Sequence, residues 1–556
     1  MAVLRASDRP RSTLLVLYVL VAAVAILFAA QLYVAFFLPV YTDEFGSKWG
    51  SARAFLDDGK AQLLNISCRS DPTVRWPLLW MPARWLDALM YEDLSQPTKL
   101  RAFGFLYAGI FLSALFFLAR RARLGLQGAP TALVYGFAVS FCALGALPFL
   151  LVMNRPELEL IVGIATLLAL VLGASGTERA WPAWAALACV QYYLFAHHPN
   201  AILLMPLLVA SWLAVRVPGF AKILGMLWTG TLAASLLGFY SQLLQCPLDP
   251  YVRGLFLRNT LTPELFRQFP DYFFWQAFRN LFGSLEYASN VVFRTEYMVD
   301  WLPRDPLRAY GLGALVNPAI LAAWSLPLVY SVARLLAPLA ARRPPAEAGD
   351  PARRAARLLL FGLFTSLALT CAAQINRNDY RSTQILLMLL LCGVLALIGQ
   401  IESIRESVWR KVMGFACAVC IVSQIQFLLS FAPHALGSWR TPGRTPAQLA
   451  SLNHVGYASY RADVLIAARQ CGIAEDHPPD HLVLDDSTYP AFWRSRLPYH
   501  LVYLTSGWAH GIGNLKALLE ERNYGGIVAR CDTLPISLRR LTSESNGICC
   551  ASRQAK

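Results

Sequence analysis

Charged residues are scarce in this chain, and the scarcity excludes most classes of soluble protein. Only 15% of its 556 residues are Asp, Glu, Lys or Arg, and 56% are hydrophobic. A typical soluble domain has about a quarter charged residues. The uncharged residues form long runs, such as 14–38, of the length that crosses a bilayer as one helix. The sequence therefore predicts a polytopic membrane protein.

The motifs of nucleotide and nucleic-acid binding are also missing. The chain has no Gly-rich phosphate loop, no zinc-spaced set of Cys and His, and no basic recognition helix. Its net charge of +15 does not indicate nucleic acid, because the basic residues cluster in short loops between apolar runs. Basic residues at those places set the orientation of membrane helices. We therefore expect no nucleic-acid partner.

The apolar runs predict a mainly α fold, a polytopic transmembrane helical bundle of about 11 spans within residues 1–432. The N-terminus lies inside and the C-terminus outside, because the basic-rich connections after spans 2, 8 and 10 then all fall inside. Two long outer loops are expected at about 39–99 and 246–310. The predicted spans are 13–38, 102–119, 131–153, 158–174, 180–196, 201–215, 223–244, 315–336, 358–373, 383–399 and 412–431.

Four polar clusters follow predicted helices on the outer side. Because they emerge on one face of the bundle, they suggest a site that faces the periplasm or an equivalent lumen. The plainer interpretation of each is a solvated helix end. The clusters are Asp43-Glu44, Arg155 with Glu157, His197-His198, and a stretch that holds Arg377, Asp379 and Arg381.

Both long outer loops contain stretches rich in Trp, Phe, Leu and Met, at 76–90 and 272–282. Tryptophan prefers the headgroup zone of a bilayer, so each stretch is typical of a short interfacial helix. Such helices can serve as simple anchors. They can also line an apolar groove for a lipid chain, with Arg279, Arg294 or Arg304 near its headgroup.

The last part of the chain, 433–556, is long enough for a core of its own and predicts a small outer α/β domain. Buried strands are expected at 482–484, 501–504 and 526–529, with a helix at 514–522. Asp485 and Asp486 then lie at the carboxyl end of a strand, where α/β sheets tend to bind ligands. A turn with helix-capping acids is the alternative.

Six of the twelve cysteines lie in apolar spans, where Cys is an ordinary small core residue. The other six are predicted outside, where disulfides persist. We expect one bridge from Cys531 to either Cys549 or Cys550.

A periplasmic transferase has no ATP to draw on, so its donor must carry its own activation, as lipid-linked sugars do. The Ala- and Arg-rich composition suggests a GC-rich bacterium, and thus the bacterial inner membrane. A carboxylate must take the proton of the acceptor hydroxyl, which Asp43 or Glu44 offers. Arginines suit the departing phosphate. The candidates for that role are Arg155, Arg377, Arg381 and His198.

This architecture resembles the GT-C superfamily of polyprenyl-phosphate-dependent glycosyltransferases, which includes protein O-mannosyltransferase and aminoarabinose transferase relatives. Its members have an acidic motif just after span 1 and interfacial helices in the first outer loop. The resemblance implies that Asp43 is the catalytic base with Glu44 as its partner or substitute. It also implies that Arg377 and Arg381 bind the donor phosphate, in a multi-pass enzyme with an inverting mechanism. The Trp-Trp-Asp-Tyr-Gly motif of oligosaccharyltransferases is absent, so transfer to Asn sequons is not expected.

Several alternatives stay open at this point. The acceptor is a glycan, a lipid or a protein, and the sequence does not choose between Asp43 and Glu44. Some relatives use a divalent metal and others do not; His197-His198 could ligate one, although adjacent helix residues point in different directions. The rival functions are a transporter or flippase of a lipid-linked glycan, a non-catalytic membrane assembly protein, and an O-antigen ligase or polymerase.

Overall fold

A computed structural model describes most of the chain and is mainly helical, with one small sheet. Every run that the sequence predicts to span the membrane contains a helix. The described residues are 9–38, 44, 48, 85–91, 98–127, 129–175, 180–244, 263–289, 306–340, 350–373, 379–400, 402–440, 457–476, 482–485, 488–492, 499–502, 525–531, 534 and 536–552.

The helices of the bundle are labelled here in chain order. They are α1 Arg9–Phe37, α2 Thr98–Ala122, α3 Thr131–Cys142, α4 Leu147–Val152, α5 Pro156–Ala174, α6 Trp181–His197, α7 Met205–Ala214, α8 Gly219–Leu244, α9 Pro263–Gln268, α10 Pro270–Ser289, α11 Pro306–Ala340, α12 Pro351–Ala373, α13 Asp379–Ile398 and α14 Glu406–Arg440.

Eight of the described helices are long and apolar enough to cross a membrane, so the chain is a multi-pass membrane protein. The predicted spans 3, 5 and 6 correspond to shorter helices. Span 3, expected as one helix over 131–153, is instead divided into α3 and α4. The division lies at Gly145, whose φ of 56° is left-handed and whose N–H donates to Ser423 Oγ at 3.0 Å. That backbone conformation is disfavoured for residues with a Cβ.

Helix α13 lies at the centre of the bundle, and its side chains from Ile385 to Leu391 are all buried. It packs against α11, α12 and α5, while α1 lies along α14 and α2 along α5. Small residues permit the closest approaches. A Cβ built on Gly104 would lie 1.9 Å from the Val152 carbonyl oxygen, so α2 and α4 meet backbone to backbone.

The C-terminal region contains helix α15, Tyr457–Gln470, the short helix α16, Ile536–Arg539, and a sheet of five strands. The strands are β1 Leu482–Asp485, β2 Tyr499–Val502, β3 Gly526–Arg530, β4 Ser543–Ser545 and β5 Ile548–Ser552. Their order is β2-β1-β3-β5-β4. β1 is parallel to β2 and β3, as predicted, whereas β5 pairs antiparallel with β3 and β4. The predicted helix at 514–522 lies outside the described residues.

Two disulfides tie β5 to neighbouring elements. Cys531–Cys549 is one of the two pairings that the sequence left open. Cys471–Cys550, which the sequence did not predict, joins the end of α15 to β5. The two cysteines of this bridge are 79 residues apart in the chain. A crosslink that closes so long a loop stabilises the fold chiefly by restricting the unfolded chain.

The C-terminal core extends to the membrane bundle. Tyr91, in the short helix 85–91, and Leu100, at the start of α2, belong to the same buried cluster as Tyr460, Leu484 and Phe492. The domain is therefore docked on the first outer loop and α2. Helix α14 continues past the expected boundary at 432/433, to Arg440.

Both predicted interfacial stretches contain helix where they are described. Only 85–91 of the first is described; the second lies within α10. One side of α10 exposes aromatic rings, with Phe274 78% and Trp275 63% exposed. The other side buries Gln276 and Asn280, and Asn280 Nδ2 donates to the Cys371 carbonyl on α12 at 2.6 Å. The arginines Arg294 and Arg304 lie outside the described residues.

Candidate functional site

A cluster of polar and charged side chains lies at one end of the bundle, where α2, α5 and α13 begin and α6 ends. We call this the polar end. Most of the cluster is buried, although the elements that contribute to it are far apart in the chain. Its described members are Glu44, Lys48, Asp87, Tyr91, Arg101, Asn154, Arg155, Glu157, Glu159, His197, His198 and Arg381.

Helix ends explain why so many charges meet here. Glu157 and Glu159 lie in the first turn of α5, where the helix dipole favours an acidic side chain. Arg101 and Arg381 lie in the first turns of α2 and α13. A charge in the first turn of a spanning helix avoids the centre of the bilayer, where its cost is highest. The alternation of helix direction then places all four at one end.

The innermost contact joins Glu44 to Arg101. Arg101 Nη2 lies 2.9 Å from Glu44 Oε1, and both side chains are fully buried. Glu44 Oε2 accepts a second hydrogen bond, from the backbone N–H of Asn154, at 2.9 Å. The guanidinium of Arg101 also lies over the Phe149 ring. The first outer loop is thereby fixed to α2 and to the segment between α4 and α5.

A second buried ion pair joins Lys48 to Glu159. The ammonium of Lys48 also lies over the ring of Tyr91, 5.8 Å from its centroid. The Tyr91 hydroxyl accepts a hydrogen bond from Asn154 Nδ2 at 3.0 Å. Burial first, and then the nearby phenol and carboxylates, raise the pKa of Tyr91 well above its usual range. Since the Tyr91 ring is part of the C-terminal core, this residue connects that domain to the charged cluster.

The third group contains Arg155, Glu157, His198 and Arg381. Arg155 Nε lies 3.3 Å from Glu157 Oε2, and Glu157 interacts electrostatically with both His198 and Arg381. His198 Nδ1 accepts a hydrogen bond from the Asn200 N–H at 2.9 Å, so its proton is on Nε2. Burial first, and then the two arginines, lower the pKa of His198 to about 4. His198 is thus neutral at pH 7 and acts as a hydrogen-bond donor rather than a cation.

His197 has different partners from those of His198. Its Nε2 lies 3.6 Å from Asp87 Oδ1, and its Nδ1 is 3.0 Å from the carbonyl of Tyr193, one turn back on α6. The two imidazoles therefore do not converge on one ion. In the described part of the chain, the one group of metal-ligating side chains that lie close together is Cys531, Glu544 and Cys549, and its two sulfurs form a disulfide.

The contacts differ in their accessibility. The side chains of Glu44 and Arg101 are 0% exposed, and those of Lys48 and Glu159 are 3% and 1% exposed. Arg155 and Glu157 are less enclosed, with side chains 16% and 11% exposed, and Arg381 is half-buried. A ligand that enters the polar end would therefore meet the Arg155 group before either of the inner ion pairs.

The structure brings together most of the predicted site residues that it describes. Glu44, Arg155, Glu157, His197, His198 and Arg381 all lie at the polar end. Asp43 and Arg377 lie outside the described residues. Asp379 begins α13, but its side chain is not described.

Sequence reasoning missed Lys48, Arg101, Glu159 and the role of Tyr91. The first three form buried ion pairs with partners more than fifty residues away in the chain. A usable signal was present, because ionisable residues inside predicted spans are functional candidates by default. That signal applies to Glu159, the second residue of the predicted span 158–174, whereas Arg101 lies just before the predicted span 102–119.

Asp485, the first residue of the acidic pair near the C-terminus, contributes to the fold of this region. Asp485 is fully buried at the end of β1. Its carboxylate accepts hydrogen bonds from the backbone and hydroxyl of Thr488 and from the Arg530 N–H, all at 2.7–2.9 Å. These bonds fix the turn that follows the strand, which favours the turn interpretation over a ligand site. Asp486 lies outside the described residues.

No protein-family model and no curated protein sequence matches the chain. The solved structures that match the chain include two of ArnT from Cupriavidus metallidurans. The structure bound to undecaprenyl phosphate has a TM-score of 0.40 and 14% identity, and the match covers 95% of this chain and 97% of that one. The apo structure has a TM-score of 0.35 with the same identity and coverage.

Proposed function

We propose that this protein transfers a sugar from a polyprenyl-phosphate-linked donor to an acceptor at the polar end of the bundle. The observation that carries the proposal is the convergence of carboxylates, guanidinium groups and a neutral imidazole at one end of an apolar helical bundle. Charges at that position are retained at a cost in stability, so they are functional candidates. The polar end would face the periplasm of a bacterial inner membrane, as the charge bias of the loops predicts.

The accessible group is assigned to the donor phosphate. Arg155 and Arg381 supply guanidinium groups, which bind phosphate oxygens in a bidentate manner. His198 supplies an Nε2–H donor, and Glu157 holds Arg155 in place through their ion pair. Arg377 and Asp379, which precede Arg381 in the chain, are proposed to complete this phosphate site.

The general base is assigned to Asp43, next to the anchored Glu44. Both oxygens of Glu44 are occupied, one by Arg101 and the other by the Asn154 N–H, and the side chain is buried. Glu44 therefore has no route to an acceptor hydroxyl, and its proposed role is to position the residue before it. This arrangement supports Asp43 rather than Glu44 as the proposed base.

The proposed reaction is a single displacement. The Asp43 carboxylate takes the proton of the acceptor hydroxyl as the acceptor oxygen bonds to the anomeric carbon. The bond between that carbon and the phosphate oxygen breaks, and the phosphate leaves with the electron pair. Arg155 and Arg381 stabilise the charge that develops on the leaving group. One displacement inverts the configuration at the anomeric carbon, and the acceptor is a glycan, a lipid or a protein.

The lipid part of the donor needs an apolar surface beside the site. Helix α10 offers one, because Phe274, Trp275, Phe278 and Phe282 are all exposed along one side of it. The rings of Trp275 and Phe278 are stacked 5.9 Å apart, and Phe278 lies against Phe282. We assign this aromatic side of α10 to the polyprenyl chain, with Arg279 near the headgroup.

The transporter alternative is less well supported. Transporters place charged groups near the bilayer midplane, on helices that are broken there. In the eight long apolar helices that the structure describes, the acidic and basic residues lie towards the helix ends. A non-catalytic assembly protein would not need the buried charges at the polar end.

The experiment measures release of polyprenyl phosphate from a panel of polyprenyl-phosphate sugars by the full-length protein in liposomes, with glycan, lipid and protein acceptors supplied. Arg381→Gln should raise the KM for the active donor about tenfold or more, because one charge-assisted contact is worth roughly 1.5–3 kcal/mol. The matched control is Arg353→Gln, a half-exposed arginine that pairs with Asp350 on α12, far from the polar end. If none of the donors in the panel releases polyprenyl phosphate, the proposal is overturned. An equal KM in both variants would also overturn it.

A further inference from the structure

A cavity lies at the end of the bundle opposite the polar end, and the proposed transferase does not use it. Its volume is about 190 Å³, and it is enclosed by α2, α3, α11, α13 and α14. Representative lining residues are Ala138 on α3, Tyr330 on α11, Val394 on α13 and Met413 on α14. The cavity therefore lies between five helices and differs from the aromatic side of α10.

The lining is almost entirely apolar, so water is a poor occupant. A water molecule in a cavity needs two to four polar partners. Two lining side chains carry polar groups, Tyr330 and Trp409, and the Trp409 indole N–H already donates to the Gln127 carbonyl at 2.9 Å. An apolar cavity of about 150 Å³ can take up benzene, so this volume fits a segment of a hydrocarbon chain.

The mouth of the cavity is basic. Four arginines lie next to lining residues in the chain at this end of the bundle. Arg123 follows Ala122, and Arg334 lies one turn beyond Tyr330. Arg405 lies next to Ile404, just before α14, and Arg410 lies next to Trp409, near the start of α14. The Arg410 guanidinium is 5.7 Å from the centroid of the Trp409 ring and forms an ion pair with Glu406, so the other three arginines supply the net positive charge. Arg334 Nη2 donates to the Gly399 carbonyl at 2.5 Å, next to the end of α13. We call this set of arginines the basic rim.

An apolar cavity below a basic rim fits an amphiphile with an anionic head. Basic pockets between membrane helices bind the headgroups of anionic lipids in this way. We infer that the cavity binds one acyl chain of an anionic phospholipid, with its phosphate on the basic rim.

The tail of the sugar donor is a less suitable occupant. Arg381 is in the first turn of α13, and Gly399 follows its end, so the polar end and the basic rim are separated by a helix of 20 residues. At 1.5 Å per residue this distance is about 30 Å, the thickness of the hydrocarbon core. A donor whose phosphate binds at the polar end could not also place that phosphate on the basic rim. The phospholipid site does not depend on the proposed function.

The test uses full-length protein in liposomes that contain phosphatidylglycerol with a photoreactive diazirine near the end of one acyl chain. After irradiation, peptide mass spectrometry should find the label on residues 326–330 and 412–413. Ala138→Leu, which fills the cavity, should reduce labelling there about tenfold, the equivalent of 1.4 kcal/mol of binding energy. The matched control is Ala102→Leu on the exposed side of α2, which should leave it unchanged. Label spread evenly over the exposed apolar surface, or an equal loss in both variants, would overturn the inference.

Competition with unlabelled lipid provides a second readout. Phosphatidylglycerol should displace the probe at lower concentration than phosphatidylcholine does, and Arg334→Gln should reduce that difference. Equal displacement by the two lipids would refute the role of the basic rim. Stronger displacement by polyprenyl phosphate would show that the occupant is the tail of the donor.

Discussion

The ion pair between Glu44 and Arg101 provides a quantitative test of how the first outer loop is held at the polar end. Both side chains are fully buried, and they are joined at 2.9 Å. Removal of one partner from a buried pair costs about 3–5 kcal/mol, because a charge is left without its counterion. We therefore expect Glu44→Gln and Arg101→Met each to lower the free energy of unfolding by about that amount. Glutamine keeps an oxygen that can accept the hydrogen bond from the Asn154 N–H.

The double variant with both substitutions should be more stable than either single variant, because neither charge then remains buried. The measurement is thermal unfolding of the purified protein in one detergent, with the coupling energy taken from the double-mutant cycle. A double variant that loses the sum of the two single losses would refute the reasoning, since it would show that the two side chains act independently.

Three further predictions concern the same end of the molecule. Gly104→Ala should destabilise the protein, because the new methyl group would clash with the Val152 carbonyl. Gly109 lies on the same helix with open space around it, so Gly109→Ala should stabilise the protein by up to about 1 kcal/mol. Unfolding of both variants in detergent tests this difference. The pKa of His198 is about 4 in the folded protein, below its value of about 6.5 in the unfolded chain. The unfolded chain therefore binds the proton first, and the free energy of unfolding should fall as the pH drops from about 6.5 towards 4. His198→Gln should flatten that part of the curve of stability against pH, and an unchanged curve would contradict the assignment. Tyr91→Phe keeps the ring in the C-terminal core but removes the acceptor for Asn154 Nδ2, so it should lower the free energy of unfolding by about 0.5–1.5 kcal/mol. Tyr91→Ala also removes the buried ring and should lower the free energy of unfolding by about 3–5 kcal/mol.

The helices could be predicted because length and apolar composition are local properties of the sequence. The same holds for β1 and β3, which are largely apolar runs. The strand expected at 501–504 is found two residues earlier, as β2 at Tyr499–Val502, which includes the polar His500. The division between α3 and α4 was missed because it depends on a hydrogen bond from Gly145 to Ser423, nearly three hundred residues away in the chain. No local pattern distinguishes that glycine from the others in apolar runs.

The candidate site could be predicted only in part, because its contacts join residues that are far apart in the chain. Polar residues that follow apolar runs are visible in the sequence, so Glu44, Arg155, His198 and Arg381 could be expected at one end. Their roles depend on partners that only the fold brings together. Glu44 is anchored because Arg101 reaches it across 57 residues of the chain, and Asn154 reaches it across 110.

The most direct test of the central claim is the turnover of Asp43→Asn in liposomes, with the donor that the wild-type protein uses. The substitution removes the proposed base and keeps the size and polarity of the side chain, so kcat should fall about 100-fold or more while the thermal unfolding curve is unchanged. Asp350→Asn is the matched control, because that residue caps α12, far from the polar end, and its activity should be retained. If Asp43→Asn turns over the donor at the wild-type rate, the assignment of a general base in the first outer loop is wrong.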